Sequence, residues 1–478
     1  MNKFNNKCSV EKNEQLGRYV VAVQDIDEGE TILTEKSILI FPVLGDETQR
    51  CCQCFKKTGD ICKSCKKFPI CASCGPHNDF ECQILQKLDK MPRKLSNVFG
   101  VIRCLIQMEN FENVEFAEVF DSMEAHQTER RGTAIWKTHH KTTIEPLLQS
   151  NIKSLIKSVD VDTDLLQRIC GVFDVNSFEI RAPGGLGCLR SLFPYAALLA
   201  HDCVANTMVS IDDHFQMKIS SNRPIKAGEM VTYCYTNPLW GTSKRRESLL
   251  VGKYFNCMCK RCEDSSELGS HMSSVLCPSC SEGALIIRNF NWRCIECNTI
   301  EDPIKVEEIV ADAEVSVKES EGNLRLLETT LRRYSKILHT NHHLLVDLKQ
   351  NVCAILRKLI MNPAFNPNVE LLQRKAQLCG EILEVLKIVQ PGISRMKAIA
   401  LQEFAMPTAD IARMQFDSGK ITKEQLKKTL EKCQQDLKEA ARMLFYEPVE
   451  SPEGQLARNI MLDLKELQEE IKDVGSWE

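Results

Sequence analysis

No run in the 478-residue chain approaches the roughly 18 consecutive apolar residues that a membrane span requires, and the opening MNKFNNKCSVEKNEQLGRYVV lacks the apolar stretch of a secretory signal. The expectation is a protein of cytoplasm and nucleus with no membrane partner. A one-sided charge is missing too. There are 61 Lys and Arg against 65 Asp and Glu; residues 301 to 478 hold 25 and 29 of them, which leaves 36 of each elsewhere. With no large basic face in view, direct nucleic-acid binding is disfavoured. Nothing in the composition suggests collagen, disorder or a coiled rod: 43% hydrophobic and 26% charged is the balance of a globular protein. The length exceeds what one core sustains and implies roughly two to four domains.

Cysteine is abundant, with 24 residues. In a reducing compartment they are not expected to form a disulfide framework, so their spacing is read against metal-ligand patterns. Cys51, Cys54, Cys62, Cys65, Cys71, Cys74, His77 and Cys82 make four successive pairs, the number that two tetrahedral N/S zinc sites need. Interleaving gives Cys51, Cys54, Cys71 and Cys74 to one ion and Cys62, Cys65, His77 and Cys82 to the other. Cys52 adjoins Cys51 and could replace it, although Cys51 gives the usual two-residue gap. Cys257, Cys259 and Cys262 supply three thiolates and leave a tetrahedral ion one ligand short. Cys277, Cys280, Cys294 and Cys297 read as a complete zinc ribbon. Closed four-ligand sets are structural, because a catalytic zinc keeps an open position. Cys104, Cys170, Cys353 and Cys379 lie in apolar contexts and read as small buried hydrophobes.

Along the chain, residues 16 to 44 alternate apolar and polar around a DEG turn, the pattern of short strands. The stretch from Cys51 to Cys82 has too few large apolar residues for a core of its own. From 83 to 168 apolar residues recur at helical spacing (Leu85, Leu88, Leu95, Val98, Ile102, Leu105, Ile106), and the period returns in SNIKSLIKSV. Residues 169 to 240 return to β patterning: a strand-like VFDVNSFEI, an APGGLG turn, and HFQMKISSNRPIKAGEMVTYCYT, which reads as hairpins. The glycines of that turn lack the Lys-Ser/Thr of a phosphate loop. Strands before Cys51 and after Cys170 are expected to share one sheet domain interrupted by an insertion. Beyond residue 303, helical spacing punctuated by NPAFNPN and Pro391-Gly392 predicts about six antiparallel helices. Their length suits tetratricopeptide-like pairs, without the W-x₂-L-G-x₂-Y consensus.

At LGRYVVA, VNSFEI, LFPYAALLAHDCVANT, GEMVTYCYTNPLWGTSKRR and FNCMCKRC the sequence resembles the SET domain of protein-lysine methyltransferases, and the cysteine-rich insertion resembles a MYND zinc finger. Together with the helical C-terminus this looks like the SET-and-MYND (SMYD) family, and the ribbon at 277 to 297 is similar to its arthropod members. The resemblance implies an α+β architecture. Its parts would be a SET β fold (1–50 and 169–245) carrying the MYND finger (51–82) and a helical insert (83–168), then a post-SET zinc site (246–265), the ribbon (275–300) and an all-α, TPR-like domain (303–478).

It further implies S-adenosylmethionine as cofactor, about four zinc ions, and Cys203 as the ligand that completes the site of Cys257, Cys259 and Cys262. Carried over by motif, Gly17, Arg18, His126, Asn176, Ala200, His201, Tyr235 and Phe255 would form the cofactor site. Tyr235 would orient the acceptor amine, with Tyr233 and Phe255 as channel walls. The activity implied is protein-lysine N-methylation of a lysine-containing peptide such as a histone tail, in chromatin and transcription regulation. The MYND finger would recruit proline-containing co-regulator peptides.

One departure stands out. Where the family usually reads N-H-S-C-x-P-N, this chain reads Ala200-His201-Asp202-Cys203-Val204-Ala205-Asn206. The missing amide would have served the cofactor's charged methionine end. Losing one such hydrogen bond costs about 1.5 to 3 kcal/mol, or roughly 10- to 150-fold in affinity. The alternative function is therefore a weak or inactive SET/MYND scaffold. Residue by residue, blander roles also exist: Asn176 as a turn cap and the Lys244-Arg245-Arg246 run as a solvated helix start.

Overall fold

The structure, a computed structural model, describes residues 4–476 apart from 93, 111–113, 186 and 289. Ten strands build the sheet region: β1 (Cys8–Asn13), β2 (Gly17–Ala22), β3 (Thr31–Lys36), β4 (Leu39–Pro42), β5 (Ser177–Arg181), β6 (Cys188–Leu192), β7 (Ala200–His201), β8 (Thr207–Ile211), β9 (Gln216–Ser221) and β10 (Met230–Tyr233). They form three small sheets, ordered β1-β2-β10-β7, β3-β9-β8 and β4-β6-β5. Each joins strands from before the cysteine-rich segment to strands from after residue 176, as the split sheet domain expected from the sequence requires.

Between β4 and β5 lie the finger and, among the described residues, eight α-helices: α1 (Asp79–Lys87), α2 (Leu95–Glu109), α3 (Val114–Asp121), α4 (Gln127–Arg130), α5 (Ala134–His139), α6 (Glu145–Leu148), α7 (Ile152–Leu155) and α8 (Thr163–Asn176), with a π-helical turn (His140–Ile144) joining α5 to α6. The buried faces of α2 and α8 meet the strands and finger in one apolar cluster, where Phe55 and Phe68 of the finger pack with Phe99 of α2. Next come α9 (Thr242–Lys253), α10 (Lys260–Glu263) and the antiparallel ribbon strands β11 (Val275–Leu276), β12 (Ala284–Arg288), β13 (Asn291–Cys294) and β14 (Ile300–Glu301). The C-terminal helices are α11 (Pro303–Glu319), α12 (Leu324–Tyr334), α13 (His343–Ile360), α14 (Val369–Val389), α15 (Arg395–Asp417), α16 (Lys423–Leu444) and α17 (Pro452–Ser476). Sequential neighbours α13 to α17 pack in series over two further apolar clusters. None of the described helices is long and apolar enough to cross a membrane.

Four expectations are corrected. The strand-like VFDVNSFEI is helical as far as Asn176, and only Ser177–Arg181 is strand. Leu166, Ile169, Cys170 and Phe173 are buried at a 3.6-residue period, and the Asp162 side chain caps the helix by accepting from Leu165 N–H at 2.8 Å. β9 and β10 do not pair with each other: β9 lies between β3 and β8, and β10 joins β2 and β7. The chain between them is tied elsewhere, through Asn222 Nδ2 to the carbonyls of Ala205 and Thr207 (3.1 and 3.2 Å) and an Ile225–Ile26 bridge. SNIKSLIKSV yields a single turn, α7. Among the described residues seven C-terminal helices stand where about six were expected, α12 having only 11 residues.

The helical region docks on the sheets at a point of close backbone approach. Ile393 N–H donates to the carbonyl of Asn222 at 2.8 Å, and a Cβ on Gly392 (φ +84°) would come within 2.0 Å of that oxygen. Arg181–Glu453 (2.8 Å) and Arg442–Glu28 (2.6 Å) flank the contact.

Candidate functional site

Four sets of Cys and His bring their ligand atoms within 4.8 Å of one another: Cys51, Cys54, Cys71 and Cys74; Cys62, Cys65, His77 and Cys82; Cys203, Cys257, Cys259 and Cys262; and Cys277, Cys280, Cys294 and Cys297. The sulfur separations are 3.7 Å for Cys54–Cys71, 3.8 Å for Cys62–Cys82, 3.5 Å for Cys203–Cys262, 3.6 Å for Cys277–Cys297 and 3.7 Å for Cys280–Cys294. A tetrahedron with zinc–sulfur bonds of about 2.3 Å has edges of about 3.8 Å, so these donors are spaced to hold zinc.

In the ribbon, backbone N–H groups aim at the sulfurs, Gly283 to Cys280 at 3.3 Å and Glu296 to Cys294 at 3.4 Å, which suits thiolates. His77 turns Nε2 to Cys65 at 3.3 Å, and its Nδ1 meets Glu81 at 3.0 Å; Glu81 in turn accepts from Arg103 of α2 at 2.7 and 3.1 Å. That chain fixes the ring's tautomer and ties the finger to the insert. Cys82 and Glu81 share α1, capped by Asn78, so one helix supplies both the ligand and the carboxylate that orients its neighbour. It is Cys51, and not Cys52, whose sulfur gathers with those of Cys54, Cys71 and Cys74.

Around Cys203 the electrostatics are distinctive. Arg245, 0% exposed, reaches Cys203 Sγ at 3.2 Å and Cys262 Sγ at 3.4 Å, while its other edge pairs with Glu267 at 2.8 Å. Arg261, equally buried, shares that carboxylate at 2.9 Å. Four thiolates exceed the charge of one divalent ion; Arg245 offsets part of that surplus, and Glu267 balances the charge of Arg261. Arg245 is thus no solvated helix start. The sequence offered Arg245 only as part of a basic run near a cysteine triplet, and it singled out neither Arg261 nor Glu267.

Against this cluster lies a cavity of about 760 Å³. Its walls include Gly17, Arg18, His126, Asn176, Tyr235 and Phe255, drawn from five separate segments, together with Tyr233, Phe178 and Lys253. Gly17 opens β2 at φ +68°. That turn lets the main chain line the cavity, and Arg18 is held by the carbonyl of Ser122 at 2.6 Å. Asn176 closes α8 and donates through Nδ2 to the carbonyls of Glu124 (2.7 Å) and Val172 (3.0 Å), so its amide oxygen remains for a ligand. α9 ends at Tyr254 in the left-handed region (φ 61°), which redirects the chain and brings Phe255 to the wall.

Ala200 and His201 are not part of the lining. Both sit on β7, paired in parallel with Thr232 and Tyr233 of β10. The His201 Nδ1 accepts from Tyr235 N–H at 3.0 Å and its Nε2 faces Cys203 at 3.3 Å, with Tyr235 and Phe255 ring centres 5.1 and 5.9 Å away. Burial brings its pKa down to about 4, in keeping with a neutral imidazole that links the cluster to the cavity wall. The Tyr235 hydroxyl donates to the carbonyl of Leu199, and burial pushes the phenol up, so it stays protonated. Asp202 folds onto its own turn, accepting from Val204 N–H at 2.7 Å.

Comparison with known proteins agrees with this architecture. The SET domain profile matches residues 17–236. The fruit-fly SET domain-containing protein SmydA-8, isoform A, is 27% identical over 304 residues, covering 59% of this chain and 63% of its own length. A yeast histone-lysine N-methyltransferase SET5 is 27% identical over 108 residues (22% of this chain, 19% of its own). The zebrafish N-lysine methyltransferase SMYD2-B is 26% identical over 243 residues (47% and 52%). The chain thus spans slightly under two thirds of the SmydA-8 relative. It carries a SET domain at residues 17–236 and resembles the SET-and-MYND proteins.

Proposed function

We propose that the protein is an S-adenosylmethionine-dependent protein-lysine N-methyltransferase, acting on histone tails or other proteins in the nucleus and cytoplasm, with four structural zinc ions. The observation that carries this is the convergence of Gly17, Arg18, His126, Asn176, Tyr235 and Phe255 on one cavity. A volume of about 760 Å³ suits a nucleoside-sized ligand. Arg18, Lys12 and Lys253 share its walls with Glu14, Glu124 and Glu179, a mixture that fits a ligand bearing both an amino-acid end and a sulfonium. The cofactor, when bound, supplies an activated methyl group. Related proteins named as lysine methyltransferases point to the same acceptor class.

The chain's own residues do the positioning. Because the Tyr235 hydroxyl spends its proton on the Leu199 carbonyl, its oxygen is left as an acceptor, able to take an N–H of an incoming amine and aim the nitrogen's lone pair. Tyr233 and Phe178, with ring centres 5.7 Å apart, make an apolar wall that strips water from the lysine stem and favours the unprotonated amine. The finger would take proline-containing co-regulator peptides.

Ala200 favours the competing scaffold reading, since it offers no amide. Calorimetry with S-adenosylmethionine, followed by methyl transfer to histone-tail peptides, decides between them. Binding and transfer support the enzyme, and a folded chain that binds no cofactor overturns it in favour of the scaffold.

A further inference from the structure

Lys253, the last residue of α9, is one of the cavity's lining residues. Its Nζ donates to the carbonyl of Val175, in the final turn of α8, and lies 5.7 Å from the centre of the Tyr235 ring. Tyr233, Tyr235 and Phe255 line the same space. Burial, with Arg190 repelling the charge and Asp174 only partly offsetting it, brings the amine down to about 8.

One account is that Lys253 merely caps α8, a cation against the negative end of a helix. That explains the Val175 contact. It does not explain the desolvation, since a capping lysine gains most by leaving its ammonium in water. A methyl acceptor has different needs: an amine held at the cavity wall beside the Tyr235 ring, partly withdrawn from water and with a minor unprotonated fraction near neutral pH. A substrate lysine has to be brought to that state, whereas Lys253 already occupies it.

Resting on the methyltransferase reading above, we infer that Lys253 is a methyl acceptor within its own chain, a self-methylation site in the cavity wall. In the step, Nζ gives up a proton to water and its lone pair forms the N–C bond to the transferred methyl. The C–S bond breaks with its electron pair staying on sulfur, which becomes the neutral thioether. The product methylammonium keeps the positive charge and enough N–H groups to hold the Val175 carbonyl, so the fold has no reason to resist it.

The experiment is peptide mapping by mass spectrometry of the purified full chain after incubation with methyl-deuterated S-adenosylmethionine, with calorimetry for cofactor binding in parallel. The expected result is a deuterated methyl on Lys253, formed at a per-chain rate that does not change on dilution and absent from Lys253→Arg. A Tyr235→Phe chain added as a bystander should gain no more label than the same chain incubated alone, because the transfer is within one molecule. Cofactor binding, or label on other lysines, with Lys253 unmodified would overturn the inference and leave the methyltransferase reading intact. Extra label on the bystander in the presence of the unaltered chain would overturn the intramolecular route. Absence of cofactor binding would sink both readings. The primary measurement uses the unaltered chain, so misfolding of either variant cannot mask the answer.

Discussion

The cysteine-rich half and the C-terminal helices are held together by opposite means. In the helices, α13 to α17 are 18 to 25 residues long and interlock through Leu345, Leu348, Leu430, Leu437, Leu444 and Ile460, none of them exposed. Long elements carry a wide apolar stripe, and burial at about 25 cal/mol per Å² suffices. The finger has a single helix of nine residues, and its buried Phe55 and Phe68 point outward into α2. What fills its interior is sulfur. The cavity sits on this second kind of wall, since His201 spans from Cys203 to Tyr235. Ligand binding should therefore depend on metal in a way the helices do not.

The largest effect should come from stripping the metal. Elemental analysis is expected to find four zinc ions per chain, and a strong chelator should open residues 51–82, 257–262 and 277–297 to hydrogen exchange. Structural zinc supplies about 10 to 16 kcal/mol in small isolated domains, far more than these segments can replace. Amides of α13 to α16 should stay protected. Uniform loss of protection along the chain would break the contrast.

Next in size is the charge lock behind the Cys203 cluster. Glu267→Gln removes the one carboxylate that both Arg245 and Arg261 share; Arg245 keeps Cys203 and Cys262, and Arg261 is left buried without that counter-charge. A loss of about 3 to 5 kcal/mol in denaturant-measured stability is expected, with looser zinc at that site. An unchanged midpoint would show that the thiolates alone hold the guanidinium groups.

What was readable in advance follows the same divide. Metal ligands in C-x₂-C pairs are local, so the pairing within the finger and ribbon could be seen in spacing alone; Cys203, 54 residues from Cys257, could not, and only the family resemblance suggested it. The helical stripes beyond residue 303 are also local. Glu267 and the Glu81–Arg103 pair are set by tertiary contact and leave no periodic trace. The β9–β10 hairpin failed for a related reason: both segments alternate as strands, but β9 pairs with β8 just before it and with β3, and β10 with β7 and β2; β3 and β2 lie some 180 to 210 residues upstream, beyond the reach of a local pattern. Lys253 carried no signal in the sequence, since its desolvation is a product of packing.

A core truncation among the helices sharpens the contrast from the other side. Leu430 of α16 is 0% exposed, and Leu430→Ala should cost about 2 to 5 kcal/mol through lost burial and a cavity. Cofactor affinity measured well below the melting transition should not move. Zinc content should also stay at the wild-type value, and a fall in either would mean that the two regions share more than the seam at Gly392.

The smallest expected change is the most informative about the cavity. β7 presents Ala200 where the family resemblance implies an amide, and Asp202 beside it is occupied with Val204 N–H. Ala200→Asn should tighten S-adenosylmethionine binding by about 1.5 to 3 kcal/mol at most, the worth of one hydrogen bond to a charged group, provided the new side chain is free to face the cavity. The carboxylate of Asp202 could capture that amide, so the double change with Asp202→Ser isolates the effect; a serine hydroxyl can still accept from Val204 N–H, which spares the turn. Calorimetry on the three chains separates the outcomes. Tighter binding in the double variant alone would mean Asp202 competes for the amide. Tighter binding in both would identify Ala200 as the position that weakens the natural cavity. If neither variant gains, the methionine end of the cofactor does not approach β7, and the cofactor role carried to Ala200 from related sequences is wrong for this chain.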